Sequence, residues 1–212
     1  MKLTVFGATG MVGKQIVKQA LAFGHTVRAF GRNVEGSIDD DLRSDKFEAI
    51  KGYVFDEDDV YDAVKGTDVV LSALGGDFSG NDKARSLGIK NIIAQMEKAG
   101  LKRIVALGGS GILNAPDGSF IIDNPNYPKQ YLPVGREHLQ AYLYLKESSL
   151  DWTMVGSPDI LDEDATGSFI TSPDTPPQPN KGKIAAGDLA LFMVTEVEKN
   201  NYVKHRVGIS KS

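Results

Sequence analysis

Val5-Phe6-Gly7-Ala8-Thr9-Gly10-Met11-Val12-Gly13, near the start of the chain, decides the fold. The apolar run Leu3 to Phe6 reads as a buried strand that breaks at glycine. From Met11 onward apolar residues recur at helical spacing, through Val12, Ile16 and Ala20 with Val17 and Leu21 alongside. Gly7, Gly10 and Gly13 therefore fall on a strand-to-helix turn, in a G-x-x-G-x-x-G rather than a G-x-G-x-x-G spacing. Glycine there permits a tight turn, close backbone approach to a phosphate, and close packing of helix on strand. The free amides and the positive dipole end of the helix then face a pyrophosphate. The preceding strand and a helix running to Gly24 make the motif specific. A dinucleotide site is expected, held by Gly7, Thr9, Gly10, Met11, Val12 and Gly13.

Outward from this turn, apolar runs alternate with amphipathic helices, the pattern of a parallel sheet covered on both faces. Strands are expected at His25 to Phe30, within Phe47 to Phe55, at Asp68 to Leu74 before Gly75-Gly76, at Arg103 to Leu107 before Gly108-Gly109-Ser110, and at Trp152 to Val155. Helices are expected at Asp56 to Val64, at Arg85 to Lys98 closed by Gly100, and at Gly135 to Ser148. Asp188 is expected to cap a last helix, Leu189 to Lys199, and Val207 to Ile209 to form an edge strand. The acidic run Asp39-Asp40-Asp41 reads as a solvated helix start. The fold class expected is α/β, a Rossmann-type doubly wound parallel sheet. Residues 1–212 form a single domain with a small C-terminal substrate-side portion.

Two segments interrupt the rhythm. Gly111 to Pro133 carries four prolines interleaved with Phe120, Tyr127 and Tyr131, and Thr171 to Lys183 holds Pro173, Pro176, Pro177 and Pro179. Both follow the C-terminal ends of late strands, where an open α/β sheet binds its ligands. Long loops in a compact domain are usually functional or disordered. Residues 111–135 and 157–183 are therefore expected to wall the substrate side.

With 212 residues the chain can bury a full core; its net charge is −4 and it has no cysteine. The acidic balance argues against a nucleic-acid partner. The absence of cysteine excludes disulfides, thiolate catalysis and zinc–thiolate sites, and no metal site is expected. The sequence enters a core strand directly after Met1-Lys2, and no apolar run approaches a membrane span. A cytoplasmic protein is expected, acting on a small-molecule acceptor with no membrane partner; oligomeric state is left open.

The phrase Gly7-Ala8-Thr9-Gly10-x-x-Gly13, followed by Val27-Arg28-Ala29-Phe30-Gly31-Arg32, resembles the atypical short-chain dehydrogenase/reductases. Within that group it is most similar to the flavin reductase/biliverdin reductase B type and the related NmrA-like proteins. Asp68-Val69-Val70, Lys90-Asn91-Ile92-Ile93, Lys102-Arg103-Ile104-Val105 and Ser149-Leu150-Asp151-Trp152-Thr153 fall in family order, so the resemblance covers nearly the whole chain. It implies a nicotinamide cofactor lying across the strand ends. An NAD site usually places an acid at the end of the second strand, to accept from the ribose 2′-hydroxyl. Here that place holds Phe30 and Gly31, with Arg32 next, where NADP-binding members of the family carry an arginine. A guanidinium pairs bidentately with a 2′-phosphate, so NADPH is the cofactor expected. The family's Gly-Asp-Val after the third strand is Gly52-Tyr53-Val54 in this chain, which offers the Tyr53 ring to the adenine in place of an acid. Ala73, Leu74 and Gly75 match residues bordering the ribose and nicotinamide, with Gly108 on the same rim.

Ordinary short-chain dehydrogenases use a Tyr-x-x-x-Lys pair on one helix face, and this chain contains Tyr142-x-x-x-Lys146. Counting back from the Ser148 to Thr153 anchor, however, the family's lysine position is His138 and its tyrosine position is Val134. Tyr142 and Lys146 lie two turns too late and are expected to be bystanders. His138 matches a histidine that sits against the cofactor in flavin-reductase-like members. Ser110 matches the serine beside the nicotinamide and is the expected catalytic hydroxyl. Asp159, after Pro158, falls where those members have a histidine. Three functions follow from the resemblance: an NADPH-dependent oxidoreductase for a flat conjugated acceptor such as a flavin or quinone, a carbonyl-reducing or epimerase-like enzyme, and a non-catalytic NADP sensor of the NmrA-like kind.

Overall fold

The computed structural model describes residues 1–38 and 42–212, so the expectation for Asp39-Asp40-Asp41 lies outside the described residues. Ten strands and five α-helices are assigned among them. The strands are β1 (Lys2–Phe6), β2 (Thr26–Gly31), β3 (Phe47–Lys51), β4 (Val69–Ser72), β5 (Arg103–Gly109), β6 (Asp151–Ser157), β7 (Asp159–Leu161), β8 (Phe169–Pro173), β9 (Lys183–Ala185) and β10 (His205–Lys211). The helices are α1 (Met11–Ala22), α2 (Glu57–Val64), α3 (Ser86–Lys98), α4 (Leu132–Glu147) and α5 (Ala186–Lys199). Eight strands form one sheet in the order β3-β2-β1-β4-β5-β6-β10-β8, parallel except for the antiparallel β8. β7 and β9 pair as a separate parallel ribbon. This is a Rossmann-like, doubly wound single domain.

Side-chain alternation along the strands sorts the core into two layers. Leu3 and Val5 of β1, with Val27, Leu71, Val105, Val155 and Val207, pack against α1 and α5. Phe6, Val70, Ile104, Trp152 and Met154 project to the opposite face, against α2, α3 and α4. Thr4 shares that second face in the buried core, and its hydroxyl donates to the Ala63 carbonyl at 2.8 Å. The chain winds outward from β1 through β2 to β3 and then returns to β4 on the other side of β1. A crevice therefore opens at the C-terminal ends of β1 and β4, where such sheets bind ligands.

Several sequence expectations are corrected here. Val207 to Ile209 is not an edge strand: β10 lies between β6 and β8, pairing Gly208 with both Gly156 and Ser172. The edge belongs to β8, in a stretch read as loop. Its short Phe-Ile-Thr-Ser-Pro run has only half-buried side chains ahead of an exposed proline, so no apolar alternation marked it. Helix α4 starts at Leu132, not Gly135, because Pro133 sits in its first turn, where the missing amide costs nothing. The 110–131 stretch also carries three short 3₁₀ turns, at Ser110–Ile112, Ile121–Asp123 and Lys129–Tyr131. Asp188 does not cap α5. It is fully buried inside the first turn, where its carboxylate accepts from the amides of Thr166 and Gly167, each at 2.7 Å, and from the Thr166 hydroxyl. It staples the 162–168 loop to α5. At Gly187 an added Cβ would meet the Ala165 nitrogen at 2.0 Å, so that loop seats directly on the helix end.

Candidate functional site

The glycine turn holds the crevice shut from behind and open in front. Gly7 has φ +75°, and a Cβ built there would lie 2.4 Å from the Ala73 carbonyl oxygen at the end of β4. A Cβ on Gly13 would lie 2.0 Å from the Gly7 carbonyl oxygen. Both positions therefore exclude any side chain, and β1, β4 and α1 close to backbone contact. Gly10, the residue before α1, supplies no side-chain cap, and the first turn of α1 carries no acid. Its amides and dipole end are left for an anion, as a pyrophosphate site requires.

In front of this turn lies a cleft of about 1050 Å³. Of the sequence-predicted residues it brings together Gly7, Thr9, Gly10, Met11, Val12, Arg32, Tyr53, Val54, Ala73, Leu74, Gly75, Gly108, Ser110 and His138. Gly13 alone stands behind the wall, as a packing glycine. At the end of β2, Phe30 is buried with its ring 4.8 Å from Phe6, and a Cβ on Gly52 would strike it at 2.4 Å. Among the described residues the end of β2 places Phe30 and Gly31, not an acid, where a 2′-hydroxyl would be read. Arg32, two residues on, is exposed and makes no hydrogen bond or ion pair among the described residues. Tyr53 is half exposed, set edge-on to Phe55 at 5.1 Å, and its amide donates to Asp59 Oδ2 at 2.8 Å. Asp59 accepts from the backbone of this turn and does not line the cleft, so the turn itself offers the ligand no acid.

At the other end of the cleft, β5 runs to Gly109 and Ser110 opens the first 3₁₀ turn, its hydroxyl making no hydrogen bond among the described residues. Gly109 lets the His138 ring approach; a Cβ there would lie 3.1 Å from its Cδ2. His138 Nδ1 is sealed from solvent and unpartnered. Burial, reinforced by the Arg85 charge, pushes the imidazole down to about 3, so it stays neutral near pH 7. Val134, one turn earlier on α4, lines the same cleft.

Tyr142 and Lys146 do not. Tyr142 is buried between Trp152 at 5.7 Å and Phe120 at 5.9 Å, with the Arg206 guanidinium 4.9 Å from its ring centre, and Lys146 is exposed. The cleft is also lined by Tyr127, Tyr131 and Ile160, from the two segments expected to wall the substrate side, and by Phe78 and Arg85, which no sequence signal marked as a site. For Tyr127 and Tyr131 the signal was their interleaving with proline. Tyr127 is wedged against Gly111 and Gly135, and its hydroxyl is pushed up by burial, with Tyr131 adding to the effect. Arg85 gave none, reading as an ordinary helix start. Among the described residues no group of three or more His, Asp or Glu side chains is placed to hold a metal, and no helix is long and apolar enough to cross a membrane.

The fold and cleft define a nucleotide-binding protein of the atypical short-chain dehydrogenase/reductase kind. A family model described as NAD(P)H-binding matches residues 7–200, and the chain belongs to that family. Its structure is similar to that of a Burkholderia pseudomallei protein described as exported, with 31% identity, 99% of each chain covered and a TM-score of 0.85. It is also similar to a Streptococcus pneumoniae protein described as a candidate NADH-flavin reductase, with 27% identity over the whole of both chains and a TM-score of 0.83. A Bacteroides thetaiotaomicron protein described as a candidate epimerase shares 26% identity over 99% of this chain and 96% of its own, with a TM-score of 0.86. The chain is NAD(P)H-binding and oxidoreductase-like.

Proposed function

We propose that the protein is an NADPH-dependent reductase that passes hydride to a flat conjugated acceptor such as a flavin or quinone. The observation that carries this reading is the composition of the cleft beyond the glycine turn. Phe78, Tyr127, Tyr131, Val134 and Ile160 form apolar and aromatic walls, while the position of the usual catalytic tyrosine is a valine. Hydride transfer to a conjugated ring asks for stacking and placement more than for a strong acid. The S. pneumoniae relative, described as a candidate NADH-flavin reductase, supports the flavin acceptor and not the choice of NADPH. In this reading the α1 amides hold the pyrophosphate, Arg32 pairs with the 2′-phosphate, and Tyr53 covers the adenine. Bound there, NADPH supplies the hydride. Ser110 donates one hydrogen bond to the acceptor, and neutral His138 fills the space under Gly109 without adding charge.

Steady-state oxidation of NADPH with a panel of flavins and quinones tests the proposal. Turnover with NADPH well above that with NADH supports it. No turnover with any acceptor, together with tight NADP⁺ binding, would favour the sensor; turnover of aldehydes or ketones alone would favour the carbonyl-reducing or epimerase-like reading, which the B. thetaiotaomicron relative represents. A cytoplasmic location belongs to the same proposal. The description of the B. pseudomallei relative as exported weighs against it, and cell fractionation decides.

A further inference from the structure

Arg85 stands where α3 begins, and its side chain turns back into the cleft instead of out to water. It is 8% exposed and lines the same cavity as His138 and Phe78. One terminal nitrogen donates to the Asp77 carbonyl at 3.0 Å and the other to the Gly76 carbonyl at 2.9 Å. These two bonds fix the plane of the guanidinium and leave the rest of its five N–H groups without a hydrogen-bond partner among the described residues. Three carboxylates lie near, Asp77, Asp82 and Glu137, and each is hydrogen-bonded elsewhere; Asp77 accepts from the amide and hydroxyl of Ser79. Asp82 accepts from the amides of Asp77 and Ala84, at 2.9 and 3.2 Å. Glu137 accepts from Lys83 Nζ at 2.8 Å and from the Ser86 hydroxyl at 2.5 Å. No ion pair joins Arg85 to a carboxylate among the described residues. Burial holds the guanidinium below its usual value despite these acids, the mark of a cation taken from water without a bonded counter-charge.

A fixed, buried cation facing an apolar, aromatic cavity is complementary to a flat ligand that carries a negative charge at one edge. Resting on the reductase reading above, we infer that Arg85 is the specificity-determining residue of the acceptor pocket, and that it selects conjugated acceptors bearing a carboxylate. The ligand's carboxylate bonds to the free edge of the guanidinium, a contact that none of the three nearby carboxylates makes among the described residues. The ring system lies against Phe78 and Tyr131, whose own rings are 6.3 Å apart at the rim. A cofactor pyrophosphate could supply the same anionic oxygens, and the test separates the two sources.

The experiment is calorimetric and needs no turnover. Binding of 2-naphthoate and of its neutral isostere 2-naphthamide is measured on protein saturated with NADP⁺, in wild type, Arg85→Met and Arg85→Lys. The inference expects wild type to prefer the carboxylate at least tenfold, Arg85→Met to lose that preference, and Arg85→Lys to regain part of it. Affinity for NADP⁺ should stay within about threefold throughout. Equal binding of the two probes by wild type overturns the inference, as does binding of neither. So does an NADP⁺ affinity that falls tenfold or more in Arg85→Met while the probe preference survives, since that assigns the cation to the pyrophosphate. If Arg85→Met fails to fold, the wild-type and Arg85→Lys measurements still decide. Carboxylate selectivity in a protein that oxidises NADPH with none of the acceptors tried would leave Arg85 as the residue that selects a carboxylate in this cleft and remove the reductase reading.

Discussion

At Arg32 the charge of one side chain bears on a choice between two cofactors of nearly the same shape. The guanidinium is exposed and has no hydrogen-bond or ion-pair partner among the described residues, and the neighbouring strand-end position is a buried phenylalanine rather than an acid. Arg32→Ala is expected to weaken NADPH binding by roughly 1.5–3 kcal/mol, the scale of a charge-assisted hydrogen bond, with NADH affinity barely changed. Equal losses for both cofactors in a titration would refute the 2′-phosphate role. His138 makes a different residue-scale point. Its folded-state pKa, about 3, lies below the ordinary 6.5 of the unfolded chain, so protonation favours unfolding. The stabilisation is whole above about pH 6.5 and is lost as pH falls toward 3. Denaturant midpoints between pH 7 and 4.5 should drop more steeply in wild type than in His138→Gln. His25, shifted in the same direction, is common to both proteins and cancels. Matching slopes would show that His138 is not held neutral.

Helix α4 shows how one element divides its labour by face. Val134 and His138, four residues apart, look into the cleft, while Tyr142 continues into the core against Trp152 and Phe120. The Tyr-x-x-x-Lys spacing at 142 and 146 is thus a coincidence of sequence: its tyrosine packs in the core and its lysine faces water. Tyr142→Phe should leave the reductase rate within a factor of a few, because the ring packing survives the loss of the hydroxyl. A fall of about a hundredfold or more, the range of a general acid, would place the tyrosine in the chemistry after all.

Over the whole molecule, the cleft draws on the ends of β1, β2, β4, β5 and β6 together with α1, α3 and α4, so a ligand that fills it ties both halves of the sheet together. Saturation at a hundred times its dissociation constant stabilises a protein by about 2.7 kcal/mol. For a chain of this length that corresponds to roughly 5–10 °C in the melting temperature. NADP⁺ should produce a shift of that size at concentrations where NAD⁺ produces much less, and a thermal melt with each cofactor reads it directly.

The glycine turn, the parallel sheet around it and the end of the cleft nearest α1 were legible in the amino-acid sequence. They rest on short-range rules: a strand's apolar run, a helix's periodicity, and glycines spaced across the turn between them. The register of α4 was legible too, because Val134 and His138 are bound to the following strand by a short, fixed count of residues. Long-range pairing decided the rest. β10 became an interior strand only because the weakly patterned 169–173 segment folds back along it. Asp188 became a staple only because a distant loop brings the Thr166 and Gly167 amides to it. Arg85 reads in sequence only as the first residue of a helix. Its burial in the cleft comes from the carbonyls of Gly76 and Asp77, which the turn after β4 folds back toward it, and no local pattern encodes where that turn will lie.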